Sequence, residues 1–312
     1  MKKVAGFIGL GVMGQSMAGH LARKFPEQGG ELLVFDVDRS KVDSLVKGFA
    51  ENTGGTAIRN VTVTPAGSIA EIGKKADIVF LSLPTSEIVR DVVLGDGGLA
   101  ESLRARSIVA DTSTTEMETT RMLARELEKK NIEFVDTPVS GGDKAAREGT
   151  LSFMAGGKKE VFDILKPFCN AMAASVVYLG GAGSGQATKA VNQMIVGVTF
   201  AIISEAFSMG VKSGLDPKTL YEAIKGGWAG SKLLDVAVQD MFSREFKPGG
   251  TVDIFNKDLG CALGLSRDNG TPTPITALVY ELFKAAKARG EGKKSQTAIV
   301  RLWEDLLKIE IK

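Results

Sequence analysis

The sequence predicts an α/β chain in two parts: a mostly parallel, doubly wound sheet over residues 1–180 and an all-α domain over residues 181–312. Three observations carry this. The first part alternates short apolar runs with longer stretches of helical periodicity, the pattern of a parallel sheet covered on both faces. From Gly185 onward the helical periodicity continues without a clear strand. A glycine cluster at 180–185 separates the two, and 312 residues exceed most single domains, so two cores of roughly 150 residues each are the natural division.

In order along the chain, the first strand is expected at 4–9. Glycines interrupt this apolar run and no cleavage pattern follows it, which sets it apart from a secretory leader. Further strands are expected at 32–35, 78–83, 107–110, 133–136, 152–155 and 176–179. In the second part helices are expected at 187–213, 217–226, around 257–266 and at 274–288. The segment 190–211 is the most apolar, but Asn192, Gln193, Ser204 and Glu205 would be costly in lipid, so it reads as a buried helix of a soluble protein. It is longer than one small domain needs to bury, so a homodimer or homotetramer is expected.

Composition narrows the partners. Lys and Arg number 39 against 37 Asp and Glu, a net charge of +2 that gives no general pull toward nucleic acid or membrane. A small molecule is the expected partner. Cys169 and Cys261 have no CxxC or Cys/His spacing, so neither a disulfide framework nor a metal site is expected, and a cytoplasmic location fits.

Gly9-Leu10-Gly11-Val12-Met13-Gly14 matches the GxGxxG pattern of dinucleotide sites. Alone the match is weak, because 37 glycines would produce roughly half a match by chance. Its context is specific: it follows an apolar strand, opens a helix near Gln15, and precedes a second strand ending in Asp36, 22 residues after Gly14. Gly9 suits the tight turn, Gly11 the approach of the pyrophosphate and Gly14 the packing of helix on strand, with the diphosphate drawn to the helix N-terminus. A carboxylate at Asp36 can accept hydrogen bonds from the ribose hydroxyls and repels a 2′-phosphate, so NAD is expected over NADP. Arg39 is the residue that could reach a 2′-phosphate; its other reading is a solvated arginine at the start of the next helix.

The stretch Gly180-Gly181-Ala182-Gly183-Ser184-Gly185-Gln186-Ala187-Thr188-Lys189-Ala190-Val191-Asn192 opens a helix with glycines and places Lys189 and Asn192 three residues apart, on one helical face. It lies at the expected domain boundary, where ligand sites tend to occur. Lys189 is the candidate catalytic residue.

With these residues in place, the chain resembles the β-hydroxyacid dehydrogenase family, in its 3-hydroxyisobutyrate dehydrogenase-like part, over nearly its whole length. The run from Phe7 to Gly14 resembles the family's cofactor motif, and Asp136-Thr137-Pro138-Val139-Ser140-Gly141-Gly142 its substrate loop. The glycine-led Lys189/Asn192 stretch resembles its catalytic motif and Lys257-Asp258-Leu259 its C-terminal segment. The resemblance implies a Rossmann domain followed by a helical domain, with Lys189 catalytic and Ser140, Gly141, Gly142 and Asn192 around the substrate. It also implies Leu83, Pro84 and Thr114 along the cofactor, and Lys257 closing over the nicotinamide end. Residues 226–231 with Leu234-Asp235, and 246–249, are most similar to the tartronate semialdehyde reductase branch. The chain departs from the family in a longer connection at 50–65, and at Met117, Thr137 and Trp228, which bear on the substrate.

The chemistry then asks for a proton donor where hydride transfer builds charge on oxygen. The one histidine, His20, falls inside the helix after the phosphate loop, a packing position, which leaves Lys189. As an ammonium it would protonate the alkoxide; as a neutral amine it would take the hydroxyl proton. The expected function is an NAD-dependent oxidoreductase moving a hydride between nicotinamide and a small 3-hydroxy acid or its semialdehyde. Reduction of tartronate semialdehyde to glycerate is the first choice and 3-hydroxyisobutyrate the next. Two other classes stay open: a dinucleotide-binding protein without chemistry, and an imine reductase on a similar architecture. Lys189 with Asn192 discriminates against the first, and a lysine donor against the second.

Overall fold

The computed structural model describes residues 3–26, 30–52 and 61–312. Six strands, β1 (Val4–Ile8), β2 (Glu31–Phe35), β3 (Thr62–Pro65), β4 (Ile78–Leu81), β5 (Ile108–Asp111) and β6 (Glu133–Asp136), form one sheet in the order β3-β2-β1-β4-β5-β6. Every ladder is parallel. This is the Rossmann arrangement, whose strand order reverses between β1 and β4 and opens a crevice beyond their C-terminal ends. The strands read as continuous apolar runs because both faces are buried. Phe7, Leu32, Val34 and Phe80 enter the core on one face, while Ile8, Leu33, Val79 and Leu81 enter the core on the other, the two-residue alternation of a pleated strand.

The helices of this part are α1 (Val12–Arg23), α2 (Arg39–Asn52), α3 (Ile69–Lys75), α4 (Ser86–Leu94), α5 (Leu99–Ser102), α6 (Met117–Glu128), α7 (Gly142–Glu148) and α8 (Lys159–Asn170). Two features differ from the sequence expectation. The last two expected strands, β8 (Leu151–Ala155) and β9 (Ala173–Tyr178), leave the main sheet and pair with a two-residue β7 (Val139–Ser140) in a second sheet of order β7-β8-β9. There β7 runs antiparallel to β8. The other difference is β3, an edge strand only partly buried and ending in a proline, too weakly patterned to be read beforehand. Of the long connection at 50–65, residues 53–60 lie outside the described residues.

The chain divides into two compact units, Met1–Lys189 and Ala190–Lys312. The division falls nine residues beyond the glycine at 180, because the first turn of α9 (Ser184–Lys212) is fastened to the sheet of the first unit by hydrogen bonds from Gly183 and Gln186 to Asp136. The second unit is built of helices: most of α9, then α10 (Pro217–Ile224), α11 (Lys232–Ser243), α12 (Val252–Asn269), α13 (Pro274–Ala286) and α14 (Arg301–Leu307). Asp216, Ser231 and Thr251 cap α10, α11 and α12 with their side chains. Phe200, Phe207, Leu234, Met241, Phe255 and Phe283 form the centre of its core.

The expectation of a buried helix at 190–211 is corrected in part. Along α9, Gln193, Ser204 and Ser208 are buried with Phe200 and Phe207, while Val191, Ile195, Ile202 and Met209 are exposed, each by more than half. Of the polar residues that argued against a membrane span, Gln193 and Ser204 are buried, Asn192 is half-buried and Glu205 is exposed; Ser204 and Ser208 donate to the carbonyls of Phe200 and Ser204, one turn back.

Candidate active site

The phosphate loop has the geometry its glycines require. Gly9 adopts a φ of +94°, and a Cβ there would stand 2.2 Å from the Ser82 carbonyl oxygen. A Cβ on Gly14 would meet the Gly9 oxygen at 2.0 Å, so only glycine lets α1 pack this closely on β1. At Gly11 the space is open, with no atom within 4 Å of a Cβ position. Gly11 is also the N-cap of α1, with no side-chain cap and no acidic residue in the first turn. The first N–H groups of α1 have no acceptor within the helix itself, the donors a diphosphate needs. Leu10 is buried, while Val12 is exposed and Met13 partly so.

At the end of β2, Asp36 accepts hydrogen bonds from the N–H of Leu10 at 2.6 Å and of Asp38 at 2.8 Å, with Lys41 Nζ 3.5 Å away. The carboxylate is held against the loop that would carry the phosphates. Arg39 opens α2, pairs with Asp43 at 3.3 Å and is largely exposed, in keeping with its solvated reading. These residues fit a nicotinamide dinucleotide with a free ribose 2′-hydroxyl.

The loops beyond β4 and β5 are fixed by a buried polar lattice. Leu83 N–H donates to Ser113 Oγ at 2.9 Å, which places Leu83 and Pro84 beside the Ser113–Thr115 segment that contains Thr114. Asp111, at the end of β5, accepts from Ser113 N–H and from the Thr115 hydroxyl. Asp136, its register partner at the end of β6, accepts from Gly183 N–H at 2.8 Å and Gln186 N–H at 2.9 Å. Burial pushes the Asp111 carboxyl up to about 7, opposed by its Ser113 and Thr115 hydrogen bonds and reinforced by the charge of Asp136. Burial likewise lifts Asp136 to about 6, opposed by the N–H groups of α9.

Lys189 is 7% exposed, and its Nζ donates to the Val139 carbonyl oxygen at 2.7 Å. Val139 immediately precedes Ser140, and Gly141 and Gly142 follow with φ of +131° and +71°. The lysine and the Ser140-Gly141-Gly142 turn are therefore brought together in the first unit. One helical turn along α9, Asn192 Nδ2 donates to Gln193 Oε1 at 2.8 Å, and Gln193 Nε2 donates to Asp258 Oδ2 at 2.7 Å. Lys257 Nζ lies 3.1 Å from Asp258 Oδ1, and Asp258 is 2% exposed. Asn192, Gln193, Asp258 and Lys257 thus form one polar chain in the second unit, so Lys257-Asp258 is no loose surface pair.

His20 packs α1 against α7: its Nε2 lies 2.8 Å from the Arg147 carbonyl oxygen, and burial holds it below the usual imidazole range. Met117 opens α6, Thr137 is buried with its hydroxyl on the Asp111 carbonyl oxygen, and Trp228 is fully exposed between α10 and α11. Sequence reasoning passed over Asp111, Gln186, Gln193 and Asp258. Asp258 and Gln186 stood inside quoted motifs, but a polar residue's partner across the sheet leaves no local pattern. Among the described residues no group of three His, Cys, Asp or Glu is placed to hold a metal ion.

Comparison with known proteins fits this geometry. A family profile described as the NAD binding domain of 6-phosphogluconate dehydrogenase matches residues 4–180. One described as the NAD-binding of NADP-dependent 3-hydroxyisobutyrate dehydrogenase matches residues 183–303. The 2-(hydroxymethyl)glutarate dehydrogenase of Eubacterium barkeri is 32% identical over 98% of this chain and 96% of its own. The 2-hydroxy-3-oxopropionate reductase of Escherichia coli is 35% identical over 96% of each. The chain belongs to the β-hydroxyacid dehydrogenase family. Among solved structures, the 3-hydroxyisobutyrate dehydrogenase of Mycobacterium tuberculosis with L-serine superimposes with a TM-score of 0.81 at 27% identity, covering 97% of this chain and 99% of that one. Membership makes this chain an NAD-binding oxidoreductase of the hydroxyacid dehydrogenase and reductase class.

Proposed function

We propose that this chain interconverts a small 3-hydroxy acid and its semialdehyde with NAD(H), tartronate semialdehyde to glycerate first and 3-hydroxyisobutyrate next. The observation that carries the reading is Lys189 Nζ, buried and 2.7 Å from the carbonyl oxygen of Val139, the neighbour of Ser140. When bound, the nicotinamide supplies the hydride for reduction and accepts it in oxidation. Lys189 as an ammonium gives a proton to the substrate oxygen as charge builds there; as a neutral amine it takes that proton back in oxidation. The Val139 carbonyl sets the direction of the amine. Backbone N–H groups of Gly141 and Gly142 and the Ser140 hydroxyl hold the substrate carboxylate, and the Asn192 amide orients the substrate or the lysine. Lys257, fixed by Asp258, serves the nicotinamide end.

The substrate class has support in the relatives. The names of the two relatives and of the solved 3-hydroxyisobutyrate dehydrogenase share a carboxylate with an oxygenated carbon one atom beyond its α-carbon. L-serine, present in the last of these structures, has the same unit. NAD is preferred because a 2′-phosphate would meet the carboxylates of Asp36 and Asp38, and cofactor choice rests on β2 rather than on the second unit. The exposed apolar stripe of α9 supports self-association as a dimer or tetramer.

The test is NADH and NADPH oxidation by the purified protein with tartronate semialdehyde, methylmalonate semialdehyde, succinic semialdehyde and glyoxylate. The highest kcat/KM is expected for tartronate semialdehyde, with NADH preferred by about ten-fold or more. Turnover of none of the four with either cofactor would overturn the reading.

A further inference from the structure

The residue that ties the cofactor side of the first unit to the helix carrying Lys189 is Gln186. It is 3% exposed, and both ends of its amide are engaged: Oε1 accepts from Thr115 N–H at 3.1 Å, and Nε2 donates to the Ser113 carbonyl oxygen at 2.9 Å. The two contacts fall on either side of Thr114. Gln186 also lies three residues before Lys189, on the same helical face. The turn that presents it is fastened from beneath, since Asp136 accepts from Gly183 and Gln186 N–H. A Cβ at Gly185 would stand 2.2 Å from the Met154 carbonyl oxygen, so the helix start has no room to slide.

We propose that Gln186 is a positioning residue: its bidentate clamp on the Ser113–Thr115 backbone holds the Thr114 loop, expected to line the cofactor, in register with Lys189, so that hydride and proton reach one carbonyl group together. This rests on the reading of Lys189 as the proton donor. With both ends of its amide engaged by Ser113 and Thr115, Gln186 acts through the loop and the helix it joins. Asp136 fixes the other end of the same linkage, so the two residues contribute one alignment and not two.

The variant Gln186→Met keeps length and volume and removes both hydrogen bonds. Measured as single-turnover hydride transfer from bound NADH, its rate is expected to fall roughly ten- to hundred-fold, while the NADH Kd from fluorescence titration changes by less than about three-fold. With NADH deuterated at the transferring position, the isotope effect on kcat should rise toward the single-turnover value as chemistry becomes limiting. Asp136→Asn, which presents an amide to two N–H donors, should show the same separation of rate from affinity, and the double variant should lose much less than the product of the two single losses. A parent-like single-turnover rate in Gln186→Met, or fully multiplicative losses, would overturn the clamp. Lys189→Met, run beside it, separates the two ideas. An inactive Lys189→Met with an unimpaired Gln186→Met sinks only the clamp, whereas a fully active Lys189→Met sinks the proton-donor reading beneath it.

Discussion

At the scale of single residues, the site is governed by where charge is buried and what faces it. Asn192 sits one turn from Lys189 with its amide nitrogen on Gln193. Asn192→Leu removes the donor but not the volume, so kcat/KM should fall by about 1–3 kcal/mol of transition-state stabilisation, roughly 5- to 150-fold, with NADH affinity little changed. Equal kcat/KM in parent and variant would assign Asn192 to packing. Asp111 makes a pH prediction. Its carboxyl is raised to about 7 in the fold by burial, so between about 3.9, the unfolded value, and 7 the native state binds more protons than the unfolded chain. Stability from this group is therefore full at low pH and lost as pH rises through 7. Asp111→Asn has no charge to bury, so its Tm relative to the parent should improve by roughly 3–6 °C between pH 5 and pH 8. A difference independent of pH would contradict the assignment.

At the scale of elements, the phosphate loop separates packing from ligand approach. Gly11→Ala meets no atom within 4 Å and keeps a φ of −64°, so its Tm should stay within about 1 °C of the parent while NADH binding weakens about ten-fold or more. Unchanged NADH binding would place the diphosphate elsewhere. What could be read beforehand follows the same division. The strands of the main sheet were legible because double burial leaves continuous apolar runs, and the phosphate loop because its glycines stand at fixed steric positions. The edge strand at Thr62–Pro65 and the two-residue Val139–Ser140 strand were not, since neither is long enough or buried enough to leave a pattern. Lys189 and Asn192 were legible as a pair on one helix face. The lattice of Asp111, Ser113, Thr115, Asp136 and Gln186 was not, because its contacts join residues up to 73 positions apart.

At the scale of the whole molecule, the long α9 carries the prediction of self-association. Val191, Ile195, Ile202 and Met209 recur at helical spacing on the exposed side of α9, an apolar stripe that a single chain leaves in water. Light scattering after size exclusion should report a dimer or tetramer for the parent, and a smaller species for a variant carrying both Ile195→Glu and Ile202→Glu. A monomeric parent would remove the stripe as an interface. The same stripe accounts for why α9, long and apolar enough to cross a membrane, nevertheless buries Gln193, Ser204 and Ser208 on its other side.

The most direct test of the account is Lys189→Met, compared with the parent by single-turnover reduction of tartronate semialdehyde from pre-bound NADH. The account predicts a loss of roughly a thousand-fold in the hydride-transfer rate, with NADH binding and Tm near those of the parent. A folded, NADH-loaded variant that reduces the aldehyde as fast as the parent would contradict it.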